Sequence, residues 1–127
     1  MAKRASVANL VKIDTTRVSH RDINVKLREA VAAGAQKIEL HNVTGQRYIG
    51  TDLNKEVEID IFGTPGNDLG AFMDGPKITV HGNAQDGCGN TMNDGRIIIH
   101  GHAGDILGMS ARGGSIFVKE FIGYRAG

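Results

Sequence analysis

Apolar and polar residues alternate in short runs through most of this chain. Ile38 and Leu40 flank Glu39, and Ile59 and Ile61 flank Asp60. Ile78 and Val80 flank Thr79, and the same spacing returns at Ile97/Ile99 and Ile116/Val118. Alternation with a period of two marks a strand with one face buried. The runs recur at a fixed interval. Lys77–Gly95 laid over Arg96–Gly114 gives seven identities over 19 residues, among them Ile78/Ile97, His81/His100, Gly82/Gly101, Asp86/Asp105 and Gly89/Gly108. Extending the period puts unit starts at 58, 77, 96 and 115, after a looser 21-residue unit that opens at Lys37. A gapless repeat of this length marks a solenoid, in which each unit packs on its neighbours.

Further ladders share the period. Leu69, Cys88, Leu107 and Ala126 fall in one register, and Met73, Met92 and Ala111 in another. Glycines form an unbroken ladder at Gly70, Gly89, Gly108 and Gly127, and a second at Gly63, Gly82 and Gly101 that ends at Glu120. One strand and glycine-built corners in each unit predict a mainly β fold: a right-handed parallel β-helix of about five coils of 19–21 residues. Leucine-rich repeats need several leucines and an asparagine per unit, which are missing here. A left-handed hexapeptide helix needs a period divisible by six.

The N-terminal segment follows a different pattern. Residues 7–14 are apolar enough for a short strand. Ile23, Leu27, Ala30 and Val31 then lie on one helical face, with Ser19 placed to cap the first turn and Gly34 placed just past the last. The spacing predicts a helix over 20–33 that covers the first coil. The expected organisation is a strand and capping helix over 1–36 and the glycine-repeat β-helix over 37–127. The last unit reaches only Gly127, so its open edge is expected to be covered by further chain, by a partner or by a second copy.

Composition sharpens this picture at one point. The chain has 127 residues and 18 glycines, of which residues 1–44 hold only Gly34. The glycine-poor and glycine-rich parts therefore meet near residue 45. The 15 basic and 14 acidic residues nearly cancel, which argues against a nucleic-acid surface. No run is apolar and long enough for a membrane-spanning helix, and no secretory leader is evident, so a cytoplasmic location is expected. A single cysteine leaves no internal disulfide and no zinc-binding pair.

Several residues invite a chemical reading. His41, His81 and His100 share a register, with His102 two residues beyond, and adjacent imidazoles can ligate a metal or exchange protons. Phe62 and Lys119 occupy that register in the other coils, and no carboxylate shares it. The pattern therefore reads as a polar ladder on the surface. Asn67, Asp86 and Asp105 could bind a cation, but Asx residues also stabilise tight turns through their own backbone. Ser110, in Gly108-Met109-Ser110-Ala111-Arg112, lacks the second glycine and the helix of a nucleophile elbow. Gly87-Cys88-Gly89-Asn90-Thr91-Met92 lacks the third glycine of a dinucleotide loop. Cys88 reads as a buried, inert thiol. No catalytic, cofactor-binding or metal-ligating residue is assigned.

The stretches Gly63-Thr64-Pro65-Gly66-Asn67-Asp68-Leu69-Gly70-Ala71-Phe72, Gly82-Asn83-Ala84-Gln85-Asp86-Gly87 and Gly95-Arg96-Ile97-Ile98-Ile99 resemble the C-terminal glycine-repeat (GXGXG) domain of the glutamate synthase large subunit. The similarity covers about residues 37–127 and is greatest to the archaeal-type, stand-alone form. His20-Arg21-Asp22-Ile23-Asn24 resembles the segment that precedes the array in that family. One subunit of formylmethanofuran dehydrogenase carries the same repeat. The resemblance implies a structural, non-catalytic unit of an oxidoreductase complex that makes glutamate from glutamine and 2-oxoglutarate. FMN and iron–sulfur clusters are then expected on partner subunits, an amidotransferase chain and an FMN-bearing synthase chain, with none bound by this chain. The alternatives are the role of the glycine-repeat subunit in formylmethanofuran dehydrogenase and a free-standing hydrolase using Ser110 or the His81/His100 pair.

Overall fold

The computed structural model describes residues 9–105, 107–108 and 111–119. Among these residues, six strands form a single parallel sheet in chain order: β1 (Leu10–Asp14), β2 (Lys37–Thr44), β3 (Glu58–Thr64), β4 (Asp74–His81), β5 (Asp94–Ile99) and β6 (Ser115–Val118). One helix, α1 (His20–Ala32), joins β1 to β2. Consecutive strands that are all parallel neighbours require the chain to travel once around a cross-section between them, so the fold is a β-solenoid.

The repeat period is the strand register. Lys37 pairs with Glu58, Glu58 with Lys77, Lys77 with Arg96 and Arg96 with Ser115. These four returns make about four turns, against the five coils expected. The unit opening at Ser115 is described only as far as Lys119, and the expected ladder ends at Glu120, Ala126 and Gly127 lie outside the described residues.

The 21-residue first coil carries its two surplus residues at separate places. One is a bulge in β2, where Leu40 to Val43 spans three steps against two from Ile61 to Gly63. Asn42 in the bulge has φ +63°, an angle that asparagine tolerates better than most residues. The other lies before β3. Asp74 donates to the Leu53 carbonyl and Lys77 to that of Val57, so the first coil takes four steps where the second takes three.

The inward strand residues build the core as the alternation predicts. Ile38, Leu40, Ile59, Ile61, Ile78, Val80, Ile97 and Ile99 are all buried, and Ile116 and Val118 pack partly against them. The opposite wall is the second set of ladders, with Leu69, Cys88 and Leu107 and then Met73 and Met92 buried. Ala111, expected to continue the methionine ladder, is exposed.

Corners are made of paired turns. Leu53, Met73 and Met92 donate to the carbonyls of Gly50, Gly70 and Gly89, and Ala111 donates to that of Gly108. Gly50, Gly70, Gly89 and Gly108 all have φ between +66° and +81°, so the glycine ladder reaches back into the first coil. A Cβ on Gly70 would sit 3.0 Å from Met73 Sδ and 3.1 Å from Ile97 Cδ1. The second ladder is a close backbone approach: a Cβ on Gly63 would fall 2.9 Å from Val43 N and nearer still to its carbonyl oxygen. Another left-handed column, two residues past the corner glycines, has no glycine among Asp52, Phe72 and Thr91.

Helix α1 spans His20–Ala32, with Ala33 as its C-cap, one residue short of the expected end. Ser19 Oγ accepts from the Asp22 amide at 3.2 Å, and Gly34 follows with φ +98°. Ile23 and Leu27 are fully buried in the core of the first coil. Buried Asn24 fixes the helix in place: its amide nitrogen donates to the Tyr48 carbonyl at 2.9 Å, and its oxygen accepts from the Gly50 amide at 2.9 Å. Strand β1 lies under β2 as an additional rung of the sheet, with Leu10 opposite Lys37 and Ile13 opposite Leu40.

Candidate functional site

The most organised group of chemically capable side chains stands on the outer face of the sheet, just past the inward strand pairs. His41, Phe62, His81 and His100 form one continuous stack. Ring centroids are 4.7, 4.6 and 5.4 Å apart, with planes within 12° of parallel. This overturns the expectation that Phe62 interrupts the histidine run. A phenyl ring stacks as well as an imidazole does, so the ladder is continuous in shape although its chemistry changes.

Carboxylates also reach the ladder from outside its register. Glu39 and Asp60 sit two residues before the rings on the same strand face. His41 Nε2 lies 2.9 Å from Glu39 Oε1, and His81 Nε2 lies 3.0 Å from Asp60 Oδ1. A carboxylate only accepts, so in both pairs Nε2 carries the hydrogen. Asp60 also lies 3.7 Å, through Oδ2, from Lys37 Nζ. Glu39 is the i−2 neighbour of His41 on its own strand, whereas Asp60 is i−2 to Phe62 and reaches His81 across to the next strand; comparing residues within one register alone misses both. Among the described residues, no three His, Cys, Asp or Glu side chains are grouped as a metal site requires.

The Asn67/Asp86/Asp105 ladder is a chain of turn bonds. Asn67 Oδ1 accepts from the Asp86 amide at 3.0 Å, and Asp86 Oδ1 accepts from the Asp105 amide at 2.7 Å, each across one coil. Asn83 does the same for the His102 amide at 2.8 Å. Asn67, Asn83 and Asp86 thus each cap an amide of the next coil instead of their own turn, and that oxygen is committed to the scaffold.

Cys88 is fully buried, and burial, reinforced by the nearby Asp68 and Asp86 charges, pushes its thiol up to about 12. A thiol this hard to ionise is a poor nucleophile, as the apolar ladder suggested. Ser110 lies outside the described residues. At the other end of the molecule, hydrogen bonds from Thr16 and Asn42 hold the Asp14 carboxyl at about 2, well below the ordinary range. The contacts are Thr16 Oγ1 at 2.7 Å, the Thr16 amide at 3.0 Å and Asn42 Nδ2 at 3.0 Å.

The geometry therefore defines a class: a parallel β-solenoid with glycine corners, whose polar ladders are spent on joining coil to coil. Residues 9–127 match the family described as the GXGXG motif, and the chain belongs to that family. It is 47% identical over 78 residues to an uncharacterized protein of Methanocaldococcus jannaschii. That match takes in 59% of this chain and 30% of the relative, so the similarity spans under a third of the relative's length. No solved structure matches the chain. No helix among the described residues is long and apolar enough to cross a membrane.

Proposed function

We propose that this chain is a non-catalytic structural domain or subunit of a glutamate synthase-like complex. The observation that carries this is the Asx ladder. The carboxylate most suggestive of a site, Asp86, accepts the Asp105 amide of the next coil, and its neighbour Asn67 holds Asp86 in the same way. Family membership supports the assignment to the glutamate synthase type. On this reading glutamine hydrolysis belongs to an amidotransferase partner, and reduction to an FMN- and iron–sulfur-bearing partner. The solenoid supplies a rigid surface between them. Among the described residues, Phe72 and Phe117, with Val25 and Tyr48, are the exposed large apolar side chains available for such contacts.

Affinity purification of the tagged full chain from its native cells tests the proposal. Co-purifying amidotransferase and flavin-bearing chains are expected. Recovery with molybdenum- or tungsten-bearing chains instead would assign it to a formylmethanofuran dehydrogenase-like complex. Ester hydrolysis by the isolated chain, lost in Ser110→Ala or His100→Ala, would overturn the structural reading.

A further inference from the structure

Strand β1 is an edge of the sheet, and among the described residues nothing pairs with its outer side. The Asn9 carbonyl and the Thr15 amide both bond toward β2. Alternate residues of a parallel strand point both backbone groups the same way. The amides and carbonyls of Leu10, Lys12 and Asp14 therefore face outward. Between this edge and α1 runs a groove of about 560 Å³. Its floor is apolar, formed by half-buried Val11, Ile13, Ala30 and Ala35. Its rim carries two cations, Lys12 and Lys26, and two anions, Asp14 and Glu29.

We infer that this end of the solenoid binds a second copy of the same chain, with β1 pairing antiparallel to β1 of the partner copy about a two-fold axis through Ile13. The charges choose both occupant and register. A two-fold interface sets one patch against itself, so the patch must be self-complementary, and this rim balances two positive against two negative groups. Pairing centred on Lys12 would set lysine against lysine, and centring on Asp14 would set aspartate against aspartate. Centring on Ile13 sets Lys12 against Asp14 twice. The same register joins those residues through their outward amides and carbonyls, as hydrogen-bonded pairs of an antiparallel ladder. Ile13 meets its counterpart on the inner face and extends the apolar groove floor across the axis. The two sheets become one of twelve strands, and an exposed edge disappears.

Sedimentation of the full chain at micromolar concentration is expected to give twice the chain mass. Lys12→Glu and Asp14→Lys each place two like-charge pairs across the axis, so each variant alone is expected at single-chain mass. Mixed, they restore two opposite-charge pairs, and the doubled mass is expected to return. Asp14→Lys also gives up the bonds to Thr16 and Asn42, so a second arm does not depend on it. In a non-hydrogen-bonded antiparallel pair the Cα atoms lie about 4.5 Å apart, within disulfide reach. Ile13→Cys treated with diamide is expected to give a reducible dimer on a denaturing gel, and Val25→Cys on the exposed side of α1 is not. A single-chain mass without the Ile13→Cys cross-link would overturn the inference. So would a mass that grows without limit with concentration, the mark of head-to-tail stacking, or a dimer indifferent to Lys12→Glu.

Discussion

The ring of Phe62 lies 4.6 Å from that of His81, with the two planes 7° apart. His41 covers the other face of Phe62 at 4.7 Å. A half-buried phenyl held on both faces contributes stacking beyond its buried area. Phe62→Ala is expected to cost about 1–2 kcal/mol in urea unfolding, and Phe62→His, which keeps a flat ring, less than half of that. Equal losses in the two variants would show that ring stacking contributes nothing.

The Asx ladder makes a separate prediction. Asp86→Ala leaves the Asp105 amide without its acceptor and should lower stability by about 0.5–2 kcal/mol, the scale of losing a helix cap. Asp86→Asn keeps an oxygen in place and should recover most of it. Added Ca²⁺ or Mg²⁺ should leave the melting temperature unchanged, because Asp86 Oδ1 is already engaged and no group of ligating side chains surrounds the carboxylate among the described residues. A cation-dependent rise in that temperature would revive the metal reading.

The two glycine ladders should respond differently to the same change. At Gly70 the obstacles to an added methyl are the ends of two flexible side chains, Met73 and Ile97, so Gly70→Ala is dominated by its left-handed backbone. That costs about 1–2 kcal/mol. At Gly63 the obstacle is the Val43 backbone, which cannot rotate away. Gly63→Ala should therefore cost more than Gly70→Ala in chemical denaturation. The reverse order would contradict the assigned roles of the two ladders.

Acid should act through Asp14. Its carboxyl is held at about 2 in the folded chain against an ordinary 3.8. A lowered folded value stabilises the protein above the unfolded value and is lost as pH falls through the folded one. The Asp14 contribution should thus be complete above about pH 4 and disappear toward pH 2. In Asp14→Ala that part of the pH dependence of unfolding should be missing.

Alkali should act through Cys88, with the opposite sign. The thiol ionises near 9 when unfolded and about 12 when folded. Above pH 9 the unfolded chain therefore gives up a proton that the folded chain keeps, and stability falls as pH rises toward 12. Cys88→Ala should flatten this alkaline slope. Iodoacetamide at pH 8 should label the native chain far more slowly than the urea-unfolded one.

Coil architecture was legible in the sequence because a solenoid repeats its geometry in its residues. Ile59, Ile78, Ile97 and Ile116 recur every 19 residues because the strands pair at that offset. The helix showed through Ser19, Gly34 and the spacing of Ile23 and Leu27. Asn24 did not: a polar residue beside a helix face reads as solvent-exposed until the Tyr48 carbonyl and Gly50 amide arrive beside it from 24 and 26 residues away. The side-chain ladder was read by residue type, which separated Phe62 from the histidines. Stacking depends on ring shape, and shape unites them. Glu39 and Asp60 escaped notice because they approach from the neighbouring row. The left-handed column of Asp52, Phe72 and Thr91 was hidden because these residues share no chemistry, only a backbone angle.

The contact between Gly50 and Ile78 sets a limit on how such a protein can change size. A Cβ at Gly50 would lie 3.2 Å from Ile78 Cδ1, so one isoleucine already spans the interior from sheet to corner. There is no room to thicken the body by enlarging side chains, and a longer coil must bulge outward, as the first coil does at Asn42. Size can change freely only along the axis, by about 4.8 Å for each coil added or removed. Length along the axis is then a count of repeats, and relatives with more repeats should be longer rods of the same girth.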